Sequence, residues 1–229
     1  MDGKEFSEQT LVNPLGFRAT RDRGESLRIG RTQERTRVLG PGVRCAIWFQ
    51  GCALRCPGCI ASAMNDSAPL FFTSAELLSD WALSIEGIEG VTLSGGDPFD
   101  QPLNELAEFL ERVRTHSALS VLCYTGRTLA QLRGLSDPAV ARALRSIDIL
   151  IDGPYVEALN DGVGWRGSSN QVIHVLGDRA VGAEDGAAVQ RGFELNINPG
   201  GTVGFTGLPI RGRGRELSQR LEIATHTIK

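Results

Sequence analysis

The sequence predicts an α/β fold built on a parallel sheet, and two observations predict it. Short apolar segments rich in β-branched residues alternate with segments whose apolar residues recur at helical spacing. Strands that alternate with helices in this way favour a parallel sheet with right-handed crossovers. The chain has 229 residues, 41% hydrophobic and 22% charged, which suits one sizeable domain or one domain with an appendage.

The first predicted strands lie before residue 50. Residues 1–26 are polar, carry mixed charge and show no sustained period, so we expect a mobile arm or a cover over the sheet edge. Residues 27–29 and 38–39 predict two short strands. After a turn at Gly40-Pro41-Gly42, the apolar run from Cys45 to Phe49 predicts a buried strand.

The middle of the chain repeats the pattern of helix and strand. Thr73-Ser74-Ala75-Glu76 fits a capping box and predicts the start of a first helix. A second helix is expected to start at Asp100 and Pro102. Two shorter helices are predicted, one over 128–132 and one from Asp137-Pro138 through Leu144. The strands predicted around these helices are 90–93, 119–124, 147–151 and 171–176.

The pattern changes after Gly177. Residues 178–191 are polar, and alternating segments at 193–198 and 202–205 flank Pro199-Gly200-Gly201, which predicts a β-hairpin. The sequence therefore predicts three parts, which are an arm at 1–26, a core at 27–177, and an extension at 178–229 with the hairpin and an Arg/Gly tail.

Charge and hydropathy narrow the class of protein. A net charge of −3 argues against general nucleic-acid binding, which needs a basic face. The run Arg211-Gly212-Arg213-Gly214-Arg215 could bind nucleic acid, but on an acidic chain it is more typical of a solvated end. No apolar run reaches the ~20 residues of a membrane span, and the first residues lack the apolar core of a signal peptide. We expect a cytoplasmic protein without nucleic-acid or membrane partners.

Three of the five cysteines lie in the segment Gly51-Cys52-Ala53-Leu54-Arg55-Cys56-Pro57-Gly58-Cys59. Three thiolates that close can hold three irons of a cubane iron–sulfur cluster and leave the fourth iron free for an external ligand. Zinc is an alternative, but it needs four ligands, and the fourth would have to be Cys45 from the preceding strand. A disulfide framework is less favoured, because the number of cysteines is odd and a chain of this size does not need cross-links.

The candidate motifs share one position in the predicted fold. The cysteine segment, Gly95-Gly96-Asp97, Thr125-Gly126 and Asp152-Gly153-Pro154 each follow the end of a predicted strand. In parallel α/β folds the carboxyl ends of the strands meet at one edge, where loops converge on a ligand. The sequence therefore predicts one site, at this edge.

The CxxxCxxC spacing and its surroundings resemble the radical S-adenosylmethionine enzymes. Within them the chain is most similar to the activating enzymes of glycyl-radical proteins, above all those of anaerobic (class III) ribonucleotide reductases. The resemblance spans roughly residues 27 to 177. The segments that carry it are 40–44, 48–52, 56–59, 94–98, 124–126, 148–155 and 165–171.

The resemblance implies an incomplete (β/α)6 barrel that is open on one side to admit a large partner. It also implies a 4Fe–4S cluster on Cys52, Cys56 and Cys59, with S-adenosylmethionine chelated to the open iron. One electron from an external donor, such as a flavodoxin or ferredoxin, would split the sulfonium and yield a 5′-deoxyadenosyl radical. The cluster and S-adenosylmethionine would carry this chemistry, so no catalytic side chain is expected. The radical would take a hydrogen from a glycine of the partner.

The resemblance further implies which residues contact S-adenosylmethionine. Gly95-Gly96-Asp97 matches the family's GGE position and would bind the ammonium group. The residue-level alternative is a tight strand-to-helix turn in which Asp97 caps the next helix. The backbones of Gly58 and Ile60 would contact adenine, and Thr125 and Gly126 the ribose.

Asp152 and Tyr124, near this edge, each have two interpretations, and His174 has a structural one. Asp152 would point into the same crevice, held by Arg166, or would be a turn carboxylate that accepts backbone amides. Tyr124 is a site residue or a core aromatic, with neither favoured. His174 is expected to be a core histidine.

Two other functions stay open on the sequence. One is a stand-alone radical enzyme that acts on a small molecule or a peptide. The other is a non-enzymatic protein that uses its cysteines for a structural metal.

Overall fold

The computed structural model describes residues 25–66, 69, 71–180, 182, 186, 191–197 and 203–208. Nearly all of the predicted N-terminal arm, and the whole Arg/Gly run at 211–215, lie outside these residues. The strands are β1 (Leu27–Thr36), β2 (Arg44–Phe49), β3 (Phe71–Thr73), β4 (Gly90–Gly95), β5 (Ser120–Tyr124), β6 (Ile149–Asp152), β7 (Val172–Val175), β8 (Phe193–Ile197) and β9 (Val203–Gly207). The helices are α1 (Ala75–Ser84), α2 (Leu103–His116), α3 (Leu129–Arg133) and α4 (Pro138–Arg145). None of the helices within the described ranges is both long and apolar enough to cross a bilayer.

The main sheet is mixed, with a parallel centre. Its order is β3-β1-β2-β4-β5-β6-β7. Neighbours from β2 through β4 and β5 to β6 are parallel, whereas β1 pairs antiparallel with β2 and β3, and β7 pairs antiparallel with β6. The predicted α/β class is therefore confirmed. The closure toward a (β/α)6 barrel that the resemblance implies stays a prediction.

Three local predictions differ from the structure. The strand predicted at 171–176 exists as β7 but runs antiparallel to β6, because residues 153–171 contain a single short 3-10 turn and no crossover helix. Residues 38–39 form no strand, since the Leu39 carbonyl accepts a hydrogen bond from the Thr92 hydroxyl instead. At α1 the cap is Ser74, not Thr73, and a complete capping box occurs at α3, between Thr128 and Gln131.

All four helices cover one face of the sheet. Side chains that alternate along the central strands pack there against α1, α2, α3 and α4 in the main core. The opposite face carries none of the helices of the described residues, and we call it the helix-free face. It has a smaller core of Leu122, Ile149 and Ile151 covered by Trp165. Successive side chains of a strand point to opposite faces of the sheet, so neighbouring residues lie in different cores.

The two predicted strands of the hairpin are present as β8 and β9, which pair antiparallel and contact the helix-free face of β1. The predicted turn at 199–201 lies outside the described residues. Arg31 stacks on the Trp48 ring, 4.6 Å from its centroid. The same guanidinium donates to the Phe205 carbonyl (2.7 Å) and to the Thr206 hydroxyl (2.8 Å). One arginine thus links the hairpin to both β1 and β2.

Arg44 is fully buried at the start of β2, at the end of the sheet opposite the cysteines. Its guanidinium donates to the hydroxyls of Thr92 and Ser120, each at 2.8 Å, and to three backbone carbonyls. Gly90 must lack a side chain, since a Cβ there would lie 2.3 Å from the guanidinium. Burial lowers the pKa of Arg44 to about 10.

We expect Arg44→Met to lower the free energy of unfolding by about 3 kcal/mol, because five acceptors lose their donor in a dry site. Urea denaturation measures this change. The matched control is Arg35→Met on the neighbouring strand, whose side chain is exposed and which should shift stability by less than about 0.5 kcal/mol. Equal midpoints for Arg44→Met and the unmodified protein would contradict the assigned role.

Candidate metal centre

The cysteine loop, residues 51–60, starts where β2 ends, at the carboxyl edge of the parallel strands. Its base is closed by backbone hydrogen bonds from Gly51 N to Met64 O (2.8 Å) and from Cys52 N to Asn65 O (3.2 Å). Gly51 has a φ of 100° and Gly58 a φ of 74°, conformations that favour glycine. Backbone geometry rather than side-chain packing therefore shapes the loop.

The three thiols of the loop lie in a different environment from the other two. Cys52, Cys56 and Cys59 are half-buried, whereas Cys45 and Cys123 are fully buried in the main core. Burial raises the pKa of Cys59, a hydrogen bond with the Ala61 backbone opposes that rise, and the charges of Cys56 and Cys52 add to it. Burial raises the pKa of Cys45 to about 12. Cys45 is part of β2 and is not available as the fourth ligand that the zinc alternative requires.

These environments predict an order of alkylation in the metal-free protein. The half-buried Cys52, Cys56 and Cys59 should react with iodoacetamide in the folded protein, and the raised pKa of Cys59 should slow its own reaction at pH 7.5, because it leaves a smaller thiolate fraction. Raising the pH should speed the reaction of Cys59. Cys45 and Cys123 should react only in denaturant, and peptide mass spectrometry reports each site. Labelling of Cys45 as fast as Cys56 would contradict the structure.

Gly95 and Gly96 let the end of β4 pack onto the base of the cysteine loop. A Cβ on Gly96 would lie 2.2 Å from the Gly51 carbonyl oxygen, and one on Gly95 would lie 2.6 Å from that of Phe49. Gly95 also has a φ of 89°. The glycine pair is thus required for a close backbone contact, as in the strand-to-helix turn that the sequence left open.

Asp97 is 3% exposed, and four protein groups surround its carboxylate. It accepts hydrogen bonds from Phe99 N (2.9 Å), from Gly126 N (3.0 Å) and from the Thr125 hydroxyl (3.0 Å). Its fourth partner is the Arg127 guanidinium, with Nη1 3.2 Å from Oδ2. Burial raises the pKa of Asp97, and Arg127 opposes that rise. These contacts match the capping alternative, and binding of an ammonium group by Asp97 stays a prediction.

Sequence reasoning missed the ion pair between Asp100 and Arg127. Asp100 accepts from Ala53 N in the cysteine loop (2.7 Å) through one oxygen and from Arg127 Nη2 (2.6 Å) through the other. Arg127 directly follows the Thr125-Gly126 motif, and its position in the sequence was the available signal. We call Asp97, Asp100 and Arg127 the acid–arginine cluster.

Of the other predicted contact residues, Gly58 and Ile60 belong to the cysteine loop, Gly126 packs against it, and Thr125 contacts Asp97. A Cβ on Gly126 would lie 2.4 Å from the Leu54 side chain, and one on Gly58 would lie 2.7 Å from the Glu157 carboxylate. Thr125 is buried, with its hydroxyl engaged by Asp97. Ile60 is half-buried at the end of the loop. The structure thus brings together the loops after β2, β4 and β5.

The side chain of Asp152, at the end of β6, contacts α3 and β7. Its register partners place it on the face of the sheet that carries the helices, where it accepts from Leu129 N and lies 2.9 Å from Nε2 of His174. Both residues line a cavity of about 520 Å³ beside α3 and β7. These contacts match the turn-carboxylate interpretation.

Three neighbouring expectations are settled by contacts. Arg166 pairs with Asp161 at 3.0 Å, so the expectation that it holds Asp152 is wrong. His174 is half-buried in the edge strand β7 rather than in the core, so that expectation is wrong too. Tyr124 packs in the smaller core and donates to the Trp165 carbonyl at 2.8 Å, as a core aromatic does.

The donor set suits an iron–sulfur cluster. Cys52, Cys56 and Cys59 are half-buried thiols on one loop, and thiolates are the usual ligands of such clusters. Among the residues that the structure describes, no three histidine, cysteine, aspartate or glutamate side chains converge closely enough to hold one metal ion. The buried Nη1 of Arg127 lies 3.2 Å from the Asp97 carboxylate, and Cys52 contributes to raising the pKa of this arginine, after Asp97 and Asp100.

Comparisons with known proteins show which proteins this chain is similar to. The family described as a 4Fe-4S single cluster domain matches residues 38–174. The anaerobic ribonucleoside-triphosphate reductase-activating protein of Escherichia coli K12 is 34% identical over 148 residues, which is 61% of this chain and 92% of that protein. Its namesake from Vibrio cholerae is 35% identical over 144 residues, 60% of this chain and 90% of that protein. The one from phage T4 is 32% identical over 140 residues, 58% and 85% respectively. The family match contains the cysteine loop and the acid–arginine cluster, and the hairpin lies beyond it.

Proposed function

Because this chain belongs to the 4Fe-4S single cluster domain family and, within it, to the anaerobic ribonucleotide reductase-activating proteins, we propose that it is a radical S-adenosylmethionine enzyme. Its substrate would be one glycine of an anaerobic ribonucleotide reductase, which it converts to a glycyl radical. The observation that carries the proposal is the set of three half-buried thiols on one loop at the carboxyl edge of the sheet, with Cys45 held apart in the core.

Cys52, Cys56 and Cys59 would hold the cluster and leave one iron for the amino and carboxylate groups of S-adenosylmethionine. When bound, the cluster supplies the electron that splits the sulfonium and so provides the 5′-deoxyadenosyl radical. No general base is required, because a hydrogen atom rather than a proton leaves the glycine. The task of this chain is to hold the reacting groups in place and to exclude water.

The loops after β4 and β5 would shape the S-adenosylmethionine site. Thr125 and Asp97 are hydrogen-bonded to each other, so they would act as one unit toward the ribose and the ammonium group. Gly58 and Ile60 would offer backbone groups to adenine. Asp152 is left out of this set, because its contacts lie with α3 and β7 on the face that carries the helices.

The finer assignments follow from the family. We propose that the sheet belongs to an incomplete (β/α)6 barrel formed by residues 27–177, with 178–229 as an extension. The protein would act in the cytoplasm, where thiols stay reduced. A flavodoxin or ferredoxin would supply the electron from outside.

One observation favours a second candidate, a stand-alone radical enzyme that modifies a small molecule or a peptide. The hairpin lies beyond the matched residues and is anchored by Arg31 on the helix-free face. An added element there can reshape the approach to a substrate. The cofactor chemistry is the same for both candidates, and only the substrate differs.

The two candidates are separated by one series of anaerobic experiments. Iron and sulfide analysis of the purified protein should give about four of each per chain. Incubation with S-adenosylmethionine and dithionite should release 5′-deoxyadenosine. Addition of an anaerobic ribonucleotide reductase should then produce the electron paramagnetic resonance doublet of a glycyl radical. Release of 5′-deoxyadenosine without that doublet supports the second candidate, and bound zinc or no metal overturns both.

A further inference from the structure

The acid–arginine cluster is built against the cysteine loop. Arg127 contacts two carboxylates at once, Asp97 through Nη1 (3.2 Å) and Asp100 through Nη2 (2.6 Å). Asp100 also contacts the loop, because it accepts a hydrogen bond from the backbone N–H of Ala53, the residue that follows Cys52. The side chain of Arg127 is 25% exposed, that of Asp100 15% and that of Asp97 1%, so solvent screens these charges incompletely.

Arg127 differs from the other arginines near the cysteine loop in the groups that it pairs with. Arg28 lies at the base of the loop, but it donates to the backbone carbonyls of Gln50 and Asp100 and not to a carboxylate. Arg55, within the loop, is largely exposed and pairs at 3.5 Å with the exposed Asp66. Within the described ranges, Arg127 is therefore the cation whose recorded ion pairs offset the two carboxylates beside Cys52.

The charges around Arg127 favour its protonated form. Burial lowers the pKa of Arg127, but Asp97, Asp100 and Cys52 together outweigh it, so the pKa lies above its ordinary value. The guanidinium stays charged throughout the range in which the protein folds. Its Nη1 is buried and lies 3.2 Å from Oδ2 of Asp97. A fixed positive charge thus lies beside the cysteine loop, to which Asp100 connects it through the Ala53 amide.

We propose that Arg127 is a positioning residue that holds the cysteine loop through Asp100 and, as a fixed positive charge beside Cys52, makes the iron–sulfur cluster easier to reduce. The proposal rests on the cluster assignment made above. Reduction adds one electron, supplied by the external donor, to a group that already carries thiolate charge. Net charge and hydrogen bonds near a cluster set its reduction potential. Without Arg127, two carboxylates would face the reduced cluster uncompensated.

The test measures the midpoint potential of the reconstituted protein by dithionite titration, with the electron paramagnetic resonance signal of the reduced cluster as the readout. Arg127→Gln should shift the midpoint to a more negative value, so that the reduced-to-oxidised ratio at the wild-type midpoint falls about tenfold. Arg127→Lys, which keeps the charge, should stay close to wild type. Arg133→Gln removes an exposed arginine of the same segment and serves as the matched control.

Each outcome decides the proposal. A wild-type midpoint for Arg127→Gln with full iron content overturns it, as does an equal shift in Arg127→Lys. If Arg127→Gln cannot be loaded with iron, Arg127→Lys decides, since loading at a wild-type potential supports the role of the charge and failure to load overturns it. Failure of the proposed function gives a different result, because the unmodified protein would then bind no 4Fe–4S cluster or release no 5′-deoxyadenosine.

Discussion

Cys56→Ala is expected to abolish binding of the iron–sulfur cluster and, with it, cleavage of S-adenosylmethionine. The variant leaves Cys52 and Cys59, and two thiolates cannot hold the three irons that the site must retain. Anaerobic reconstitution followed by iron analysis should find less than about a tenth of the wild-type iron. The release of 5′-deoxyadenosine in the presence of dithionite should fall below detection.

The fold should survive this substitution. The cysteine loop is closed by backbone bonds, from Gly51 N to Met64 O and from Cys52 N to Asn65 O, and neither involves the Cys56 side chain. Cys56 is half-buried and outside the core, so its truncation creates no cavity among the strands. Urea denaturation of the metal-free protein should therefore place Cys56→Ala within about 0.5 kcal/mol of wild type.

Cys123→Ala is the matched control, since it removes a thiol from β5 that is fully buried. It should lower the free energy of unfolding by about 1 kcal/mol and leave the iron content unchanged. Cys56→Ala should thus lose iron and keep its stability, whereas Cys123→Ala should lose stability and keep its iron. Wild-type cleavage of S-adenosylmethionine by Cys56→Ala would show that the ligands are assigned wrongly.

Features that depend on residues close together in the sequence could be predicted from local patterns. The spacing of Cys52, Cys56 and Cys59 is visible in the sequence, and so are the buried strands that end before each loop. The carboxyl edge of a parallel sheet then brings Gly51, Gly96 and Gly126 together without further information. Convergence at an edge is a property of the fold class, so it could be inferred before any contact was known.

Contacts between distant segments could not be predicted in this way. The side chain of Asp152 contacts Leu129 and His174 because its register with Val172 sets its face, and no sequence pattern reports that register. β7 runs antiparallel to β6 because the connection between them, residues 153–171, forms no α-helix. Arg127 reaches Asp100 across 27 positions of sequence, and only the packed turns show that the two charges meet.

The Asp97→Asn substitution tests whether this carboxylate holds the turns together or serves only the cofactor. An asparagine must place its NH₂ group either against the N–H of Phe99 or against the N–H of Gly126 and the Arg127 guanidinium. Either orientation leaves a buried donor facing another donor. We therefore expect the free energy of unfolding of the metal-free protein to fall by about 2–3 kcal/mol.

The metal-free state is the informative one, because neither the cluster nor S-adenosylmethionine is then present to account for the loss. Asp80→Asn is the matched control, since Asp80 is 60% exposed and pairs with Arg112 at 3.3 Å. It should change stability by less than about 0.5 kcal/mol. If Asp97→Asn unfolds at the wild-type urea concentration and yet loses S-adenosylmethionine cleavage, Asp97 acts on the cofactor alone. If it unfolds early, the four contacts of its carboxylate hold the loops after β4 and β5 against the cysteine loop, and the geometry of the metal centre depends on them.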